Sequence, residues 1–342
     1  MKNLCASLAI VFAAMLAGTQ VGPAASDPVV VNVTNFARAQ ADMEFDGILK
    51  LSGGINKWQH NREPTPIDKQ NIIRMNRDTL YSFAIIDISK GATVTLPDAG
   101  DRYMSLMIIN NDGYVNETFH GAGTHELTTG TFDTPYVAAG VRILANAEDK
   151  ADIQKVNELQ DKIKIEAASE NAFVLPDYDR ASYETTLKAL LELAKSAKGT
   201  TGFFGSKAEV DPVGFLLGSA AGWGGLPDKE AHYVNVEPNL AVGEYELSVK
   251  DVPVSGFWSI SLYNKEGYFQ QNDLNAYSLN DLTAKKNADA SYTIRFGGCT
   301  ASTGNCLPIM DGWNYLVRLY EPHKEILDGT WTFPGPPQPV KN

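Results

Sequence analysis

Cysteine is scarce in this chain: three in 342 residues, at positions 5, 299 and 306. So few thiols exclude a disulfide-dense scaffold. A thiolate zinc site would need two further ligands near FGGCTASTGNCLP, and none of the five histidines is close in sequence. Cations are also short, 29 Lys and Arg against 41 Asp and Glu, for a net charge of −12. They are scattered singly or in pairs. The longest run, Lys285–Lys286, reads as a solvated turn, so a nucleic-acid or anionic-membrane partner is disfavoured. Beyond residue 26 no segment approaches the roughly 18 apolar residues of a membrane span, which argues against an anchor. No G-x-S-x-G elbow, P-loop or dinucleotide fingerprint is present, and no cofactor is implied.

The first 26 residues have the anatomy of a cleaved secretory signal. Lys2 leads, Leu4 to Leu16 is apolar, and Ala24 and Ser26 stand at minus three and minus one of a cut before Asp27. Cleavage removes one cation and no acid, taking the charge from −12 to −13. The implied location is secreted or periplasmic. Export supplies an oxidant, and Cys299 and Cys306 enclose a loop of small polar residues, so a disulfide staple is expected.

Helical spacing of Phe36, Ala39 and Met43, with Thr34 or Asn35 as cap and Gly53–Gly54 as stop, predicts a helix over 34–49. From 78 to about 145 the period changes to two: TLYSFAIIDIS, ATVTLP, RYMSLMIIN and PYVAAGVRIL read as strands divided by turns. Two amphipathic helices follow, one capped by Asn146 and one carrying Tyr183, Leu187, Leu190, Leu191 and Ala194. Residues 199–227 are rich in Gly and aromatics and must pack against something, such as a cleft between the halves. From about 230, GEYELSVKDV, GFWSISLYN, SYTIRFGG and WNYLVRLYEP read as strands again, and the PGPPQPVKN tail as frayed or extended.

The expected class is mainly β: two antiparallel β-sandwich, jelly-roll-like domains with a helical insertion between them. The boundaries drawn are a signal at 1–26, an N-terminal sandwich at 27–145, a helical and Gly/aromatic-rich connector at 146–228, a C-terminal sandwich at 229–336 and a tail at 337–342. There is an internal echo. RYMSLMIINNDGY at 102–114 and FWSISLYNKEGYF at 257–269 share an aromatic–x–Ser start, a β run, Asn, and a turn reaching Gly–Tyr.

The chain resembles a paired family whose halves are domain of unknown function 1254 and domain of unknown function 1214. The first half carries the likeness through NFARAQADMEF, RMNRDTLYSFAIIDIS and PDAGDRYMSL, and the middle through AAGWGGLP. The second half does so through VPVSGFWSISLYN, NAYSLN, NCLPIMDGWNYLVRLYEP and ILDGTWTFP. The resemblance implies tandem β-sandwiches and brings no established chemistry. One departure is Asp289–Ala290, where an Asp–Gly turn is expected.

Two clusters stand out as ligand-binding candidates. Arg74, Asn76, Arg77, Asp78 and Tyr81 sit at a strand start, where guanidinium forks suit a carboxylate, phosphate or sugar; the alternative is an Arg77–Asp78 clasp, which Arg102 can join. Tyr263, Asn314, Arg318 and Tyr320 form the counterpart. In WNYLVRLYE, Trp313, Tyr315, Val317 and Leu319 share one face, and Asn314, Leu316, Arg318 and Tyr320 the other. Half-buried Arg318 then needs a partner, with Glu321 or Asp328 at hand, or a ligand. Trp223 in GWGG is the candidate ligand wall. Glu117, His120 and His125 lie close together but match no metal motif, so no metal is assigned.

Two uses follow. One is a polar–aromatic pocket that binds, or hydrolyses, a small polar or carbohydrate ligand; no catalytic residue is identified, and a hydrolase is the first guess if the chain is an enzyme. The other is a non-enzymatic structural or homo-oligomer-forming protein, with the clusters as internal clasps and the apolar 203–217 loop as interface.

Overall fold

Asn35 precedes the first helix, and Gly53, at φ +75°, ends it in the left-handed conformation that glycine adopts without strain. The computed structural model describes residues 27–70, 73–197 and 199–340; the signal-peptide reading lies outside them. After α1 (Phe36–Ser52) come β1 (Gln59–His60), β2 (Thr79–Asp87), β3 (Ala92–Leu96), β4 (Met104–Asn110) and β5 (Val115–His120). Next are β6 (Gly123–Leu127), the one-turn α2 (Thr129–Phe132) and β7 (Tyr136–Leu144). The middle holds α3 (Lys150–Gln160), β8 (Lys164–Ala167), α4 (Arg180–Ala194) and α5 (Pro212–Gly222). Then follow β9 (Ala231–Val236), β10 (Tyr245–Val249), β11 (Trp258–Tyr263), β12 (Ser278–Asn280) and β13 (Tyr292–Phe296). β14 (Cys306–Leu307), β15 (Asn314–Tyr320), α6 (Lys324–Leu327) and β16 (Gln338–Pro339) complete the order.

The molecule is mainly β and its sheets are almost wholly antiparallel. A large sheet, β1-β2-β7-β4-β5, packs on β6-β3-β8 over a core that includes Leu80, Val94, Leu106, Phe132, Val141 and Val156. A second large sheet, β12-β11-β15-β9, packs on β14-β13-β10-β16 over Trp258, Ile294, Phe296, Tyr315 and Val317. Alternation puts every second residue of each large sheet into its own core. The remaining residues of the two large sheets meet each other: Met107, Ile109 and Leu144 from one join Ala231 and Tyr320 from the other in a third cluster, with Tyr103, Leu226 and Phe257 from the flanking loops. This is why β4, β11 and β15 are buried along their whole length.

Several elements differ from the sequence reading. α3 is capped by Asp149, whose side chain accepts from Ala151 N, because Asn146 already accepts from Glu148 N in the turn before it. The 199–227 stretch contains a true helix, α5, with Asp211 as cap and Pro212 in its first turn. Its glycines are packing residues: a Cβ on Gly214 would come within 2.7 Å of Phe203. Phe203, Phe204 and Phe215 are thereby drawn inward instead of lying on an open loop. The tail is extended and ordered, Tyr245 pairing with Pro339. Ala290 takes the glycine-like place in its turn at φ +68°.

Cys299 and Cys306 are bonded, with Cα atoms 5.6 Å apart. The loop they close does not turn back as a hairpin. It delivers Cys306 into a parallel pairing with Arg295 on β13.

Candidate functional site

The echo in the sequence is a repeated piece of structure. Asn110 and Asn264 end equivalent strands, and each side-chain carbonyl accepts from the backbone two and four residues on: Asp112 and Tyr114 at 3.1 and 3.0 Å, Glu266 and Tyr268 at 3.1 and 2.9 Å. Gly113 and Gly267 close the two turns at φ +91° and +89°. Carried back along the strands, this register sets Ser105 over Ser259. Ser105 faces Arg142 across the ladder, and Ser259 faces Arg318. One strand further, Arg142 faces Tyr81 and Arg318 faces Tyr233. Both arginines point away from their own cores into the contact between the large sheets.

Arg318 is fully engaged. It is 3 % exposed and donates to Ser261 Oγ at 2.7 Å, the Tyr263 hydroxyl at 2.9 Å and the Arg74 and Met75 carbonyls at 2.8 and 3.3 Å. Its nearest carboxylate is Asp78, 3.9 Å away, and not the expected Glu321 or Asp328. Glu321 lies at the end of its strand and pairs with His120 instead. Asp78 is 1 % exposed and accepts from Asn280 at 3.1 Å; burial pushes its carboxyl up, while the Arg318 guanidinium works against that rise. Asp78 does not pair with Arg77.

Arg77 and Arg102 instead fasten the start of α3. Arg77 donates to Glu148 at 2.9 Å and to the Thr65 carbonyl, and stacks over Tyr277. Arg102 grips Asp152 with both ends of its fork and also donates to the Leu144 carbonyl. Arg74, at φ +55°, reaches Glu237 at 3.6 Å. Asn314 donates to the Asn264 carbonyl at 2.6 Å, and Tyr263 to that of Met75 at 2.7 Å. These five residues serve connections within the protein.

Arg142 is different. It is 7 % exposed, donates to the Gly224 carbonyl at 3.0 Å and touches Met107 Sδ at 3.7 Å; its guanidinium lies 5.5 Å from the Tyr81 ring centre. No carboxylate pairs with it among the described residues. Burial disfavours its charge, but a guanidinium does not release its proton in a protein, so it stays cationic.

Those phenols are arranged as donors. Asn76 Nδ2 donates to the hydroxyls of Tyr81 and Tyr320 at 3.0 and 3.1 Å, while Asn76 Oδ1 accepts from Asp78 N. Accepting leaves each phenol its own O–H to give. Tyr233, on β9, makes no side-chain hydrogen bond to the described residues, and burial raises its hydroxyl pKa, as it does for Tyr320. Trp223 caps α5 next to Gly224, packs edge-on against Phe45, and has a buried indole N–H with no acceptor. Asn76, Tyr81 and Tyr233 are only half-buried, which opens the cluster toward solvent.

At one end of this contact His120 is held between two carboxylates of the second half, Glu230 at 2.6 Å and Glu321 at 3.2 Å. Burial lowers its pKa, but the two hydrogen bonds outweigh this and push it up to about 9. Tyr103 lies against the ring, 5.9 Å away. Of the other two residues read beside it, His125 stacks on Phe119.

Arg142, Tyr233 and His120 were not singled out as site residues by the sequence. Arg142 sits in the apolar run PYVAAGVRIL, where an arginine at a strand centre was itself a signal. Among the described residues no helix is long and apolar enough to cross a membrane.

A family described as "Protein of unknown function (DUF1254)" matches residues 55–132, and one described as "Protein of unknown function (DUF1214)" matches 234–324. The crystal structure of the VPA0106 protein from Vibrio parahaemolyticus is similar at 20 % identity and a TM-score of 0.67, covering 90 % of this chain and 98 % of that one. An uncharacterized protein from Burkholderia cenocepacia is similar at 15 % identity and a TM-score of 0.48, covering 85 % and 84 %. A search of curated proteins finds no match. At 20 % identity the likeness to the Vibrio protein speaks for the fold alone.

Proposed function

The chain belongs to the paired family of domains of unknown function 1254 and 1214, and from that premise we propose that it binds a small anionic ligand between its two large sheets, with Arg142 as the anchor. The observation that carries this reading is a buried guanidinium with one carbonyl and no carboxylate, ringed by tyrosine hydroxyls free to donate. A buried charge without a counter-ion costs several kcal/mol, and an oxyanion removes that cost while accepting the spare phenolic protons. Asn76 orients Tyr81 and Tyr320, Tyr233 supplies a third hydroxyl, and Trp223 walls the site beside Gly224.

The clasp reading is kept for Arg77, Arg102 and Arg318, whose terminal guanidinium nitrogens all bond the protein, although the buried Arg77 Nε has no partner among the described residues. It does not account for Arg142. A carbohydrate ligand fits this account best as an acidic sugar, because the anchor is a cation. Binding is favoured over hydrolysis: burial pushes the Tyr233 and Tyr320 phenols up and His120 is protonated near neutral pH, so none of these three is a ready base. We further take the protein to be exported, on its leader-like first 26 residues and its disulfide, with sandwich units at 27–145 and 229–336 that each take one strand from beyond those bounds, β8 and β16.

The test is a thermal-shift panel of carboxylates, phosphate esters, uronic acids and neutral sugars. Saturation at 100 times Kd contributes about 2.7 kcal/mol, a rise of several degrees. One anionic class should raise the melting temperature of the wild type but not of Arg142→Met. If neutral sugars act as strongly, or Arg142→Met responds like wild type, the reading fails.

A further inference from the structure

Lys285–Lys286, read from sequence as a solvated turn, does not simply face water. It forms one wall of an open depression of about 470 Å³ that shares no residue with the Arg142 cluster. Arg295 projects into it from β13. Asn287, Thr293, Ser302, Thr303 and Asn305 supply amides and hydroxyls, and no carboxylate lines it. In a chain with 41 acids and 29 cations, three cations around one hollow without an ion pair is an unusual local balance. Glu246 is the cross-strand neighbour of Arg295 but forms no ion pair with it, and Asp281, whose field reaches Lys286, lies outside the hollow.

The backbone that carries these cations is held in place. Asn305, at φ +48°, accepts from Lys285 N at 2.7 Å and donates to the Lys285 carbonyl at 2.8 Å, clamping that residue at two points. The same amide donates to the Thr293 carbonyl at 3.2 Å and so ties the clamp to β13. Lys286 Nζ stands 5.7 Å from the Tyr292 ring centre. The Cys299–Cys306 bond closes the loop that presents Ser302, Thr303 and Asn305. Gathering like charges on a fixed frame is unfavourable until an anion joins them. Three cations suit a group of more than one charge, and the amide and hydroxyl lining suits a hydroxylated scaffold.

We propose that this depression binds a phosphate or sulfate group borne by a saccharide. The volume exceeds what one such ion fills, and the polar rim engages the sugar. This is independent of Arg142.

Calorimetric titration of the full chain tests it, using a sulfated oligosaccharide, a phosphorylated one of matched charge, their uncharged parent, inorganic phosphate and inorganic sulfate. The two charged saccharides should bind at least about tenfold tighter than the inorganic ions, the parent not at all, and affinity should fall steeply with salt. Whichever of the two binds tighter identifies the group. Lys285→Gln with Lys286→Gln and Arg295→Gln should weaken binding at least about tenfold with an unchanged melting temperature, since all three side chains are exposed. Arg142→Met should bind like wild type, which separates failure here from failure of the inter-sheet site. Equal binding of charged and uncharged saccharide, inorganic ions binding as tightly as the saccharides, no binding of any probe, or a triple variant that binds like wild type would each overturn the proposal.

Discussion

Arg142 and Arg318 occupy the same place in two copies of one strand pattern, each opposite a serine and beside a tyrosine, yet only Arg318 has its donors filled by the protein. The loop leading to β2 makes the difference. It crosses to the second half and lays the carbonyls of Arg74 and Met75 against Arg318, while Arg142 receives one carbonyl from Gly224.

The two arginines should therefore respond oppositely to truncation. Arg318→Met strips Asp78 of its counter-charge and leaves the Arg74 carbonyl and the Ser261 hydroxyl without their donor, a loss of about 3–5 kcal/mol in urea unfolding. Arg142→Met removes an uncompensated buried charge from the unliganded protein and should be neutral within about 1 kcal/mol, or stabilising. Equal losses for both would contradict the distinction between clasp and site.

His120 makes stability depend on pH in the alkaline direction. Its folded pKa, about 9, lies above the ordinary imidazole value of 6.5, so folding favours the protonated ring. The stabilisation is complete below pH 6.5 and is lost as pH rises through about 9. Melting temperatures from pH 6 to 10 should fall across that window in the wild type and stay flatter in His120→Gln. An unchanged slope in the variant would show that another group carries it.

Ala290 bears a left-handed backbone that glycine adopts freely. Ala290→Gly should raise stability by about 0.5–1 kcal/mol, the relieved strain exceeding the added chain entropy. A loss on this substitution would mean that the turn is not strained.

Much of the fold was legible because alternation is a local property. Both faces of β15 followed from its sequence: Trp313, Tyr315, Val317 and Leu319 lie in one core, and Leu316, Arg318 and Tyr320 face the other sheet. α5 was not legible, since its glycines read as breaks when they are contact points for Phe203 and Phe204. The clusters were found at the right strands, but their partners lie in the other half, as when Asn76 meets Tyr320, and no local pattern encodes such a meeting. The echo alone sets Ser105 over Ser259; matching Arg142 to Arg318 also needs the pairing of β7 and β15 with those strands, which no local pattern gives.

The disulfide should be structural. It closes a short loop, so reduction should cost about 2–3 kcal/mol and several degrees of melting temperature. Neither sulfur should react with a thiol probe in the folded, unreduced protein. Rapid labelling of two thiols under those conditions would rule the bond out in solution.

The central claim is that Arg142 is held ready for an anion. Calorimetric titration of the anionic ligand class found by thermal shift, into wild type, Arg142→Met and Arg77→Met, tests it most directly. The inter-sheet site is predicted to fill once per chain in wild type and Arg77→Met, separately from the Lys285–Arg295 hollow, with its affinity falling at least about 100-fold, near 2.7 kcal/mol, in Arg142→Met. Undiminished binding by Arg142→Met would contradict the account.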